Sequence, residues 1–242
     1  MLKTFISSNN IYNLFKAFLP ENASNIITAE HYPKKLLSGK TTPAAILDLG
    51  CGAGNSIDFF KNINPCINWF GTDIEDSPEG KMRTRNDGDF RTYDGINLPY
   101  EDNFFDLIYS HQVLEHVRHP DDLLKDVFRV LKPGGYFTGS VSYLEPYHSF
   151  SIYNFTPYGL IISLCDAGFQ LEEMRPGIDG PTLILRQMIN APQKLGSFFT
   201  RLSLFNLLVN YCGFIFRLSP KEKTFLKLQF AGQICFLAGK SV

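Results

Sequence analysis

The amino-acid sequence predicts an α/β protein built on a doubly wound, mostly parallel sheet, and three observations support this prediction. A short apolar run, Ala44 to Leu49, has the composition of a strand that is buried on both faces of a parallel sheet. Three glycines at alternate positions follow it, and a helical pattern then begins at Asn55–Ser56. Downstream, strand-like runs alternate with helical patterns, as in successive strand–helix–strand units.

The other elements are predicted from the same kinds of pattern. Residues 76–87 are polar and contain proline and glycine, so we expect a loop or a frayed helix there. Thr156 is predicted to be the N-cap of a helix that begins at Pro157. Residues 29–37 are expected to form a short helix before the first strand. The remaining strands are predicted at 67–73, 90–93, 106–110, 136–142, 169–175 and 230–238.

Length, charge and cysteine content limit the function classes. The 242 residues suffice for one domain with a single large core. The 23 basic and 24 acidic residues leave a formal charge of −1, which gives no electrostatic reason to expect a nucleic-acid partner. The five cysteines show no CxxC pair and no signal peptide is visible, as expected for a cytoplasmic protein. We expect an N-terminal helical cap (1–43), a core (44–175), a helical insertion (176–229) and a last strand (230–242).

The glycine-rich turn after the first strand predicts a nucleotide-like ligand. Glycine is needed where the backbone turns sharply or where a ligand must approach it closely. The start of the next helix offers backbone N–H groups to that ligand. A dinucleotide fingerprint, G-x-G-x-x-G counted from Gly50, would require a third glycine at the position of Asn55. The spacing therefore argues against a nicotinamide dinucleotide.

The string D-L-G-C-G-A-G, which begins at Asp48, resembles motif I of the class I S-adenosylmethionine (SAM)-dependent methyltransferases. Asp73 ends the second strand, where an acid can accept both hydroxyls of a ribose. The segment that starts at Asp94 resembles D-A-x-x-L-P-F-x-D-x-S-F-D of this superfamily, in which the acid accepts from the adenine amino group. Gly95 replaces the usual alanine, which we expect to cost little, and Asp89 is the rival acid if the register is shifted.

A further run, LEHV…LLKDVFRVLKPGGYF, resembles the small-molecule branch of these enzymes, of the methyltransferase type 11 kind. The resemblance extends over residues 44–142. It implies a Rossmann-like sheet of seven strands with an antiparallel last strand, SAM as cofactor and S-adenosylhomocysteine as product. It also implies that the N-terminal cap lies over the cofactor, with His31 and Tyr32 as contacts. The cofactor-binding residues implied are Asp48, Gly50, Cys51, Gly52, Gly54, Asp73, Ile74, Asp94, Gly95, Ser110 and His111.

Two histidines are predicted to be catalytic. SAM carries its own leaving group, so the protein mainly has to align the acceptor, and a base helps only if the acceptor holds a proton. His148 lies just beyond the fifth strand and His111 ends the fourth, so both are expected at the cleft. A surface-loop histidine is the alternative for His148. Oxygen is the favoured acceptor atom, because a base is present and the N-P-P-Y signature of nucleobase or amide methylation is absent.

Glu115-His116 raises the question of a metal site. Ubiquinone-type O-methyltransferases carry E-x-x-E-H at the matching place, where it binds a divalent ion, but here Gln112 replaces the first acid. One carboxylate and one imidazole are fewer ligands than divalent ions usually take. We therefore predict no metal and a structural role for His116 in capping the loop.

Residues 195–218 are mostly apolar, with polar residues at three- and four-residue steps, which predicts one helix with a narrow polar stripe. Arg201 interrupts the apolar face, which argues against a bilayer span. We expect this helix to pack in the core or in a dimer contact. The alternatives are a lid over an apolar acceptor and a peripheral membrane contact.

Taken together, the sequence predicts methyl transfer from SAM to a small-molecule or lipid-like acceptor by a monomer or homodimer. One alternative is a nicotinamide-dependent oxidoreductase, against which Asn55 argues. Another is a non-catalytic partner protein with a SAM fold, although such a protein is expected to lose the binding acids that are present here. The variable loops decide the acceptor, and they carry no motif that identifies it.

Overall fold

The computed structural model describes residue 6 and residues 9–145, 149–190 and 203–242. Helices and strands alternate over most of this length, and a 3-10 turn, Leu114–His116, follows the fourth strand. The helices are α1 (Asn10–Phe15), α2 (His31–Leu37), α3 (Ser56–Ile63), α4 (Pro78–Lys81), α5 (Pro120–Val130), α6 (Pro157–Asp166), α7 (Gly180–Met188), α8 (Leu204–Ile215) and α9 (Pro220–Leu228). The strands are β1 (Ala44–Leu49), β2 (Ile67–Ile74), β3 (Asp89–Tyr93), β4 (Phe105–His111), β5 (Leu131–Ser142), β6 (Gln170–Pro176) and β7 (Gln233–Gly239).

The seven strands form one sheet in the order β3-β2-β1-β4-β5-β7-β6. Neighbouring strands from β3 to β5 are parallel, whereas β7 is antiparallel to both β5 and β6. This topology confirms the predicted fold class. The strand order reverses between β1 and β4, and a doubly wound sheet binds its ligand outside the carboxyl ends of the strands at such a point.

The apolar run of β1 is explained by cores on both faces of the sheet. Ile46 packs in a cluster with Phe60 and Trp69, whereas its neighbour Leu47 packs in a second cluster with Ile108. Side chains alternate across a strand, so a strand covered on both sides has no solvent face. The sheet is therefore a rigid base for the loops at its carboxyl edge.

The N-terminal helix α2 packs on the sheet and not on the predicted cofactor site. Tyr32 is fully buried in a small cluster with Cys235 and Leu237, and its hydroxyl donates to Glu173 Oε1 at 3.2 Å. Neither His31 nor Tyr32 lines the cleft described below. The prediction that these two residues contact the cofactor is therefore wrong for this arrangement of the chain.

The predicted helix over 195–218 is confirmed among the described residues from Leu204 to Ile215, and it ends three residues earlier than predicted. Ser203 is the N-cap of α8, since its Oγ accepts from the backbone N–H of Asn206 at 3.0 Å. The helix ends at Ile215, where Arg217 takes a φ of 52° and the Leu218 N–H donates to the Gly213 carbonyl at 2.8 Å. A separate helix, α9, follows, and residues 191–202 lie outside the described residues.

Candidate active site

A cleft of about 840 Å³ opens at the carboxyl edge of the sheet, above β1, β2 and β4. Its two walls come from different loops. The first wall contains Gly50, Gly52, Asp73, Ile74, Asp94 and Gly95. The second wall contains His111, Gln112, Val113, His116, Val117, Arg118, His119, Ser149 and Phe150.

The glycine loop after β1 folds tightly against the second wall. Gly50 has a φ of +72°, and its N–H donates to the Thr72 carbonyl at 2.7 Å. A Cβ on Gly50 would lie 2.3 Å from Val113 Cγ2, so a side chain cannot be accommodated without movement. Gly52 has a φ of +49°, and a Cβ there would lie 2.9 Å from Glu79 Cβ. Both glycines thus keep the floor of the cleft free of side chains.

Asp73 is held at the tip of β2 by three hydrogen-bond donors. Its Oδ2 accepts from the Gly52 N–H at 2.8 Å and from Ser77 Oγ at 3.0 Å. Its Oδ1 accepts from the Ile74 N–H at 2.8 Å. A carboxylate oxygen can accept more than one hydrogen bond, so this group is fixed in place and can still receive ligand hydroxyls.

Asp94 forms a tight turn on the same wall. Its Oδ1 accepts from the N–H groups of Ile96 and Asn97 at 2.9 and 2.6 Å, and its Oδ2 accepts from Asn97 Nδ2 at 2.7 Å. The Asn97 side chain, with these backbone donors, lowers the pKa of Asp94, which is therefore an ionised acceptor at neutral pH. Asp89 pairs instead with Arg91 and does not line the cleft.

The structure gives a reason for glycine at position 95 that the sequence alone does not show. Its φ is +94°, a conformation that L residues rarely adopt, although a Cβ would have open space around it. An alanine here would strain the backbone. The expectation that glycine in place of alanine costs little therefore holds, because glycine adopts this backbone conformation without strain.

Asp48 lies behind the glycine loop and outside the cleft lining. It is buried, and Ser56 Oγ donates to its Oδ2. Trp69 Nε1 donates to the same Ser56 oxygen at 3.0 Å, so the acid connects the strand to the start of α3. Burial raises the pKa of Asp48 to about 7, against the opposing effect of the Ser56 hydrogen bond.

Replacing Asp48 by asparagine should therefore change how stability depends on pH. Between pH 4 and 7, the unfolded chain releases the Asp48 proton while the folded chain keeps it, so the wild-type free energy of unfolding falls as pH rises. The asparagine variant has no proton to release at this position. Between pH 4 and 7 its free energy of unfolding should therefore rise by about 3–4 kcal/mol relative to that of wild type. Urea unfolding at several pH values measures both curves, and parallel curves would contradict the raised pKa.

Three other predicted cofactor residues also lie below the cleft surface, namely Cys51, Gly54 and Ser110. Cys51 is buried, which raises the pKa of its thiol to about 12 and keeps it protonated. Gly54 is crowded, since a Cβ there would meet the Phe90 ring at 2.8 Å. Ser110 is fully buried at the end of β4, and its Oγ has no hydrogen-bond partner among the described residues. In this structure these residues shape the loop from behind.

Sequence reasoning missed the residues that support the glycine loop from α4 and the segment after it. Arg83 Nε donates to the Gly52 carbonyl at 2.9 Å, and its guanidinium lies 4.0 Å from the centroid of the Phe90 ring. Ser77 supports Asp73 and also caps α4 by accepting from the Gly80 N–H at 3.1 Å. A Ser-Pro pair before a short polar run was a helix-start signal that could have located this support.

The second wall is built from the turn that follows β4. His111 is exposed at the end of the strand, and Gln112 takes a φ of 59°, which is unusual for a residue other than glycine. The Gln112 N–H donates to the Ser140 carbonyl at 3.0 Å. Glu115 is fully buried beneath this turn, and its Oε1 accepts from the Ser142 N–H and Oγ at 3.2 and 2.8 Å.

The remaining predictions near the second wall concern His116, His148 and the absence of a metal. His116 lines the cleft, and its structural role in capping the loop stays a prediction. His148 lies outside the described residues, and its catalytic role stays a prediction. Within the described residues no three histidine, cysteine or acidic side chains come together as metal ligands, and the metal-free site likewise stays a prediction.

The two walls differ in their titratable side chains. Asp76 and Glu79 also line the cleft beside the first wall and, with Asp73 and Asp94, bring its carboxylates to four, whereas the second wall contains Arg118 and the imidazoles of His111, His116 and His119. A cationic ligand is therefore favoured on the side of the carboxylates.

Comparisons with known proteins agree with this geometry. Residues 47–138 match the family described as a methyltransferase domain. A demethylmenaquinone methyltransferase of Lactobacillus johnsonii is 30% identical over 145 residues, covering 54% of this chain and 59% of that protein. A ubiquinone/menaquinone biosynthesis C-methyltransferase of Pseudomonas fluorescens is 34% identical over 107 residues, 41% and 42% of the two chains. The chain spans less than two thirds of the length of the curated relatives it matches.

A solved structure shows the same fold over most of the chain. The SAM-dependent methyltransferase of Mesorhizobium loti superposes with a TM-score of 0.53 at 17% identity, covering 87% of this chain and 97% of that one. The matched domain and the order of its motifs identify residues 47–138 as a methyltransferase domain of the class I kind, for which SAM is the cofactor.

Proposed function

We propose that this protein transfers the methyl group of SAM to an oxygen atom of a small or lipid-like acceptor. The observation that supports this most is a cleft lined by carboxylates on the side of the glycine loop and by imidazoles on the side of the turn after β4. When bound, SAM supplies an electrophilic methyl carbon on a sulfonium leaving group. The protein then has to align the acceptor oxygen with the methyl carbon of SAM and to accept the proton of the acceptor hydroxyl.

The first wall fits SAM residue by residue. At the carboxyl edge of the sheet, Asp73 would accept the ribose hydroxyls and Asp94, as an ionised acceptor, the adenine amino group. Ile74, exposed next to Asp73, offers an apolar surface for the adenine ring. Gly50 and Gly52 have no side chains, so the ligand can approach the protein backbone closely at these positions. SAM carries a net positive charge, which the four carboxylates of this wall would favour.

The second wall would position the acceptor. His111 ends β4 at the cleft, where an imidazole can take a proton from a hydroxyl as the methyl group is transferred. His116 and Arg118 would stabilise the negative charge that develops on the acceptor oxygen. A base of this kind is needed for a hydroxyl, which is why we favour oxygen over an amine nitrogen.

Carbon is the second candidate acceptor atom, because two relatives are named for methylation in quinone biosynthesis and one is named a C-methyltransferase. Activating a phenol ring carbon also removes a proton, so the same histidines would serve. Mass spectrometry of the product separates the two, since acid or demethylating reagents remove an O-methyl group and leave a C-methyl group in place.

Binding measurements test the rival classes directly. We expect S-adenosylhomocysteine to bind and NADH not to bind, because Asn55 stands where the dinucleotide fingerprint needs glycine. A protein that binds S-adenosylhomocysteine but transfers no methyl group to any extract component would be the non-catalytic partner that the fold also permits.

The function itself is tested with methyl-labelled SAM and an extract of the source cells. We expect label to enter a small molecule, in the organic phase if the acceptor is lipid-like and in the aqueous phase if it is polar. The Asp73→Asn variant is the control that should transfer no label. Equal labelling by wild type and this variant would contradict the proposal.

Replacing His111 by alanine should lower kcat by about 10²- to 10⁴-fold, because the acceptor hydroxyl then loses its base. The dissociation constant for S-adenosylhomocysteine should change little, since the imidazole belongs to the acceptor wall. His148→Ala and His119→Gln, made in parallel, show whether the effect is specific to one histidine. A rise of kcat with pH that disappears in His111→Ala would identify the base, and unchanged turnover would exclude it.

A further inference from the structure

Helix α8 is amphipathic in the reverse sense, with a polar side that faces the protein and an apolar side that faces solvent. Asn206 is only 7% exposed, whereas Leu208 is 57% and Phe214 is 80% exposed. A surface helix normally buries its apolar stripe. Two points therefore need an explanation: which contacts inside the protein hold α8 in this orientation, and what binds its exposed apolar side.

The cause is a buried polar cluster around Asp179. This carboxylate caps α7 through the Thr182 N–H at 2.9 Å and accepts from Thr182 Oγ1 at 2.9 Å, from Ser203 Oγ and from Asn206 Nδ2 at 3.4 Å. One turn further along α8, Asn210 Oδ1 accepts from the buried Lys227 Nζ at 2.8 Å. Turning α8 over would take the Ser203 and Asn206 donors from the buried carboxylate, which would keep those of Thr182. The buried ammonium would lose Asn210 and keep the Ser24 carbonyl at 2.6 Å, and both losses are costly.

The use is suggested by the number of large apolar side chains that this arrangement exposes. Large apolar side chains recur on one face of α8 at helical spacing, and α7 adds three more that are exposed. A contiguous apolar surface of this kind marks an interaction site more often than a plain surface. The residues on α8 are Leu204, Leu207, Leu208, Tyr211, Phe214 and Ile215. Those on α7 are Ile184, Leu185 and Met188; together these nine form the apolar patch.

The charge of this region points to the partner. Residues 180–218 contain four basic residues, Arg186, Lys194, Arg201 and Arg217, and no aspartate or glutamate, although the whole chain has a formal charge of −1. Arg217 is exposed at the end of α8. Apolar side chains flanked by cations are what an interfacial element needs at a membrane with anionic lipids.

The apolar patch lies near the carboxyl edge of the sheet, which is the edge where the cleft opens. β6 runs in the same direction as β5, so α7, which follows β6, leaves the sheet at the edge where the cleft opens. The Gly180 N–H donates to the Phe230 carbonyl at 2.8 Å, and the Leu144 N–H donates to the Ala231 carbonyl at 3.1 Å. Leu144 belongs to the segment after β5 that continues to Phe150 in the cleft wall.

We propose that the apolar patch of α7 and α8 docks on the surface of a membrane that contains anionic phospholipids. No helix among the described residues is long and apolar enough to cross a bilayer, so the contact is peripheral. Docking would set the open edge of the sheet towards the lipid, where an acceptor held in the membrane could reach the cleft. The docking itself does not depend on the proposed reaction.

Vesicle co-sedimentation tests this directly. We expect the full chain to bind vesicles of phosphatidylcholine mixed with phosphatidylglycerol at least about tenfold more tightly than vesicles of phosphatidylcholine alone, with the difference lost at high salt. The double variant Leu208→Glu/Phe214→Glu should bind the mixed vesicles about tenfold or more weakly, because it places two charges in the patch. Ile162→Glu, on an exposed part of α6, is the matched control and should bind like wild type.

A second variant protects the test from folding artefacts. Arg186→Gln/Arg217→Asn removes two flanking cations, and asparagine tolerates the left-handed backbone at position 217. It should weaken binding to the mixed vesicles only. S-adenosylhomocysteine binding, which uses the first wall of the cleft, reports that each variant is folded.

Two results would overturn the proposal. One is equal sedimentation of wild type and Leu208→Glu/Phe214→Glu with mixed vesicles, or none for either. The other is a wild-type dimer, measured by light scattering, that the double variant converts to a monomer while wild type ignores vesicles, because the patch would then be a contact between two copies of this chain.

Discussion

Replacing Asp73 by asparagine is expected to raise the dissociation constant for S-adenosylhomocysteine by at least about a hundredfold. Hydrogen bonds to a charged acceptor are worth about 1.5–3 kcal/mol each, and a ribose offers two hydroxyls. The variant also disturbs the site before any ligand binds. Oδ1 and Oδ2 of Asp73 both face backbone N–H groups, from Ile74 and Gly52, so either orientation of the amide sets an NH₂ group against a donor.

Glu75→Gln is the matched control for this prediction. It removes a carboxylate two residues away that does not line the cleft, and it should bind S-adenosylhomocysteine like wild type. Isothermal titration gives both constants, and thermal unfolding shows whether Asp73→Asn remains folded. An unchanged constant for Asp73→Asn would mean that the first wall does not hold the ribose.

Replacing Gly50 by alanine should abolish tight cofactor binding and lower the free energy of unfolding by about 2–4 kcal/mol. The left-handed backbone costs an L residue about 1–2 kcal/mol, and the new methyl group would overlap the Val113 side chain, which adds a cost of overpacking. Relief requires that the glycine loop or the turn after β4 moves. These two segments form opposite walls of the cleft, so either movement changes its shape.

Gly134→Ala separates the two causes. Gly134 has a similar φ, +76°, but a Cβ there would meet nothing closer than Val242 Cγ2 at 3.6 Å, and the residue does not line the cleft. The free energy of unfolding of this variant should fall only by the cost of the left-handed backbone. Its affinity for S-adenosylhomocysteine should not change. If Gly50→Ala binds as well as Gly134→Ala, the contact with Val113 does not control the shape of the site.

The fold could be predicted from the sequence because its signals are local. The run Ala44 to Leu49 is apolar on both faces since both faces are covered, and the turn after it must contain glycine because Gly50 and Gly52 have positive φ values. Thr156 caps the helix that begins at Pro157, as its position before that proline predicts. Each of these features is set by residues close together in the chain.

The rest depends on contacts between distant residues. The sequence predicts a polar stripe on a mostly apolar helix for 203–210, and only the positions of Asp179 and Lys227 show that the stripe faces inward. Likewise, a motif places Asp48 beside the cofactor turn, but Ser56 and Trp69 decide which way its side chain points. Arg83, which supports the glycine loop, belongs to no motif that we recognised.

The position of β7 has a consequence for how the protein is made. This strand is the last in chain order, yet it lies between β5 and β6 in the sheet. While the chain leaves the ribosome, β6 emerges with no strand to pair with, and β5 has an open edge, until the whole insertion and then β7 have followed. Unpaired strand edges invite association with other chains. The nascent protein is therefore vulnerable to aggregation from the emergence of β6 until β7 pairs with it, and a ribosome-bound chaperone would have to protect these two edges together.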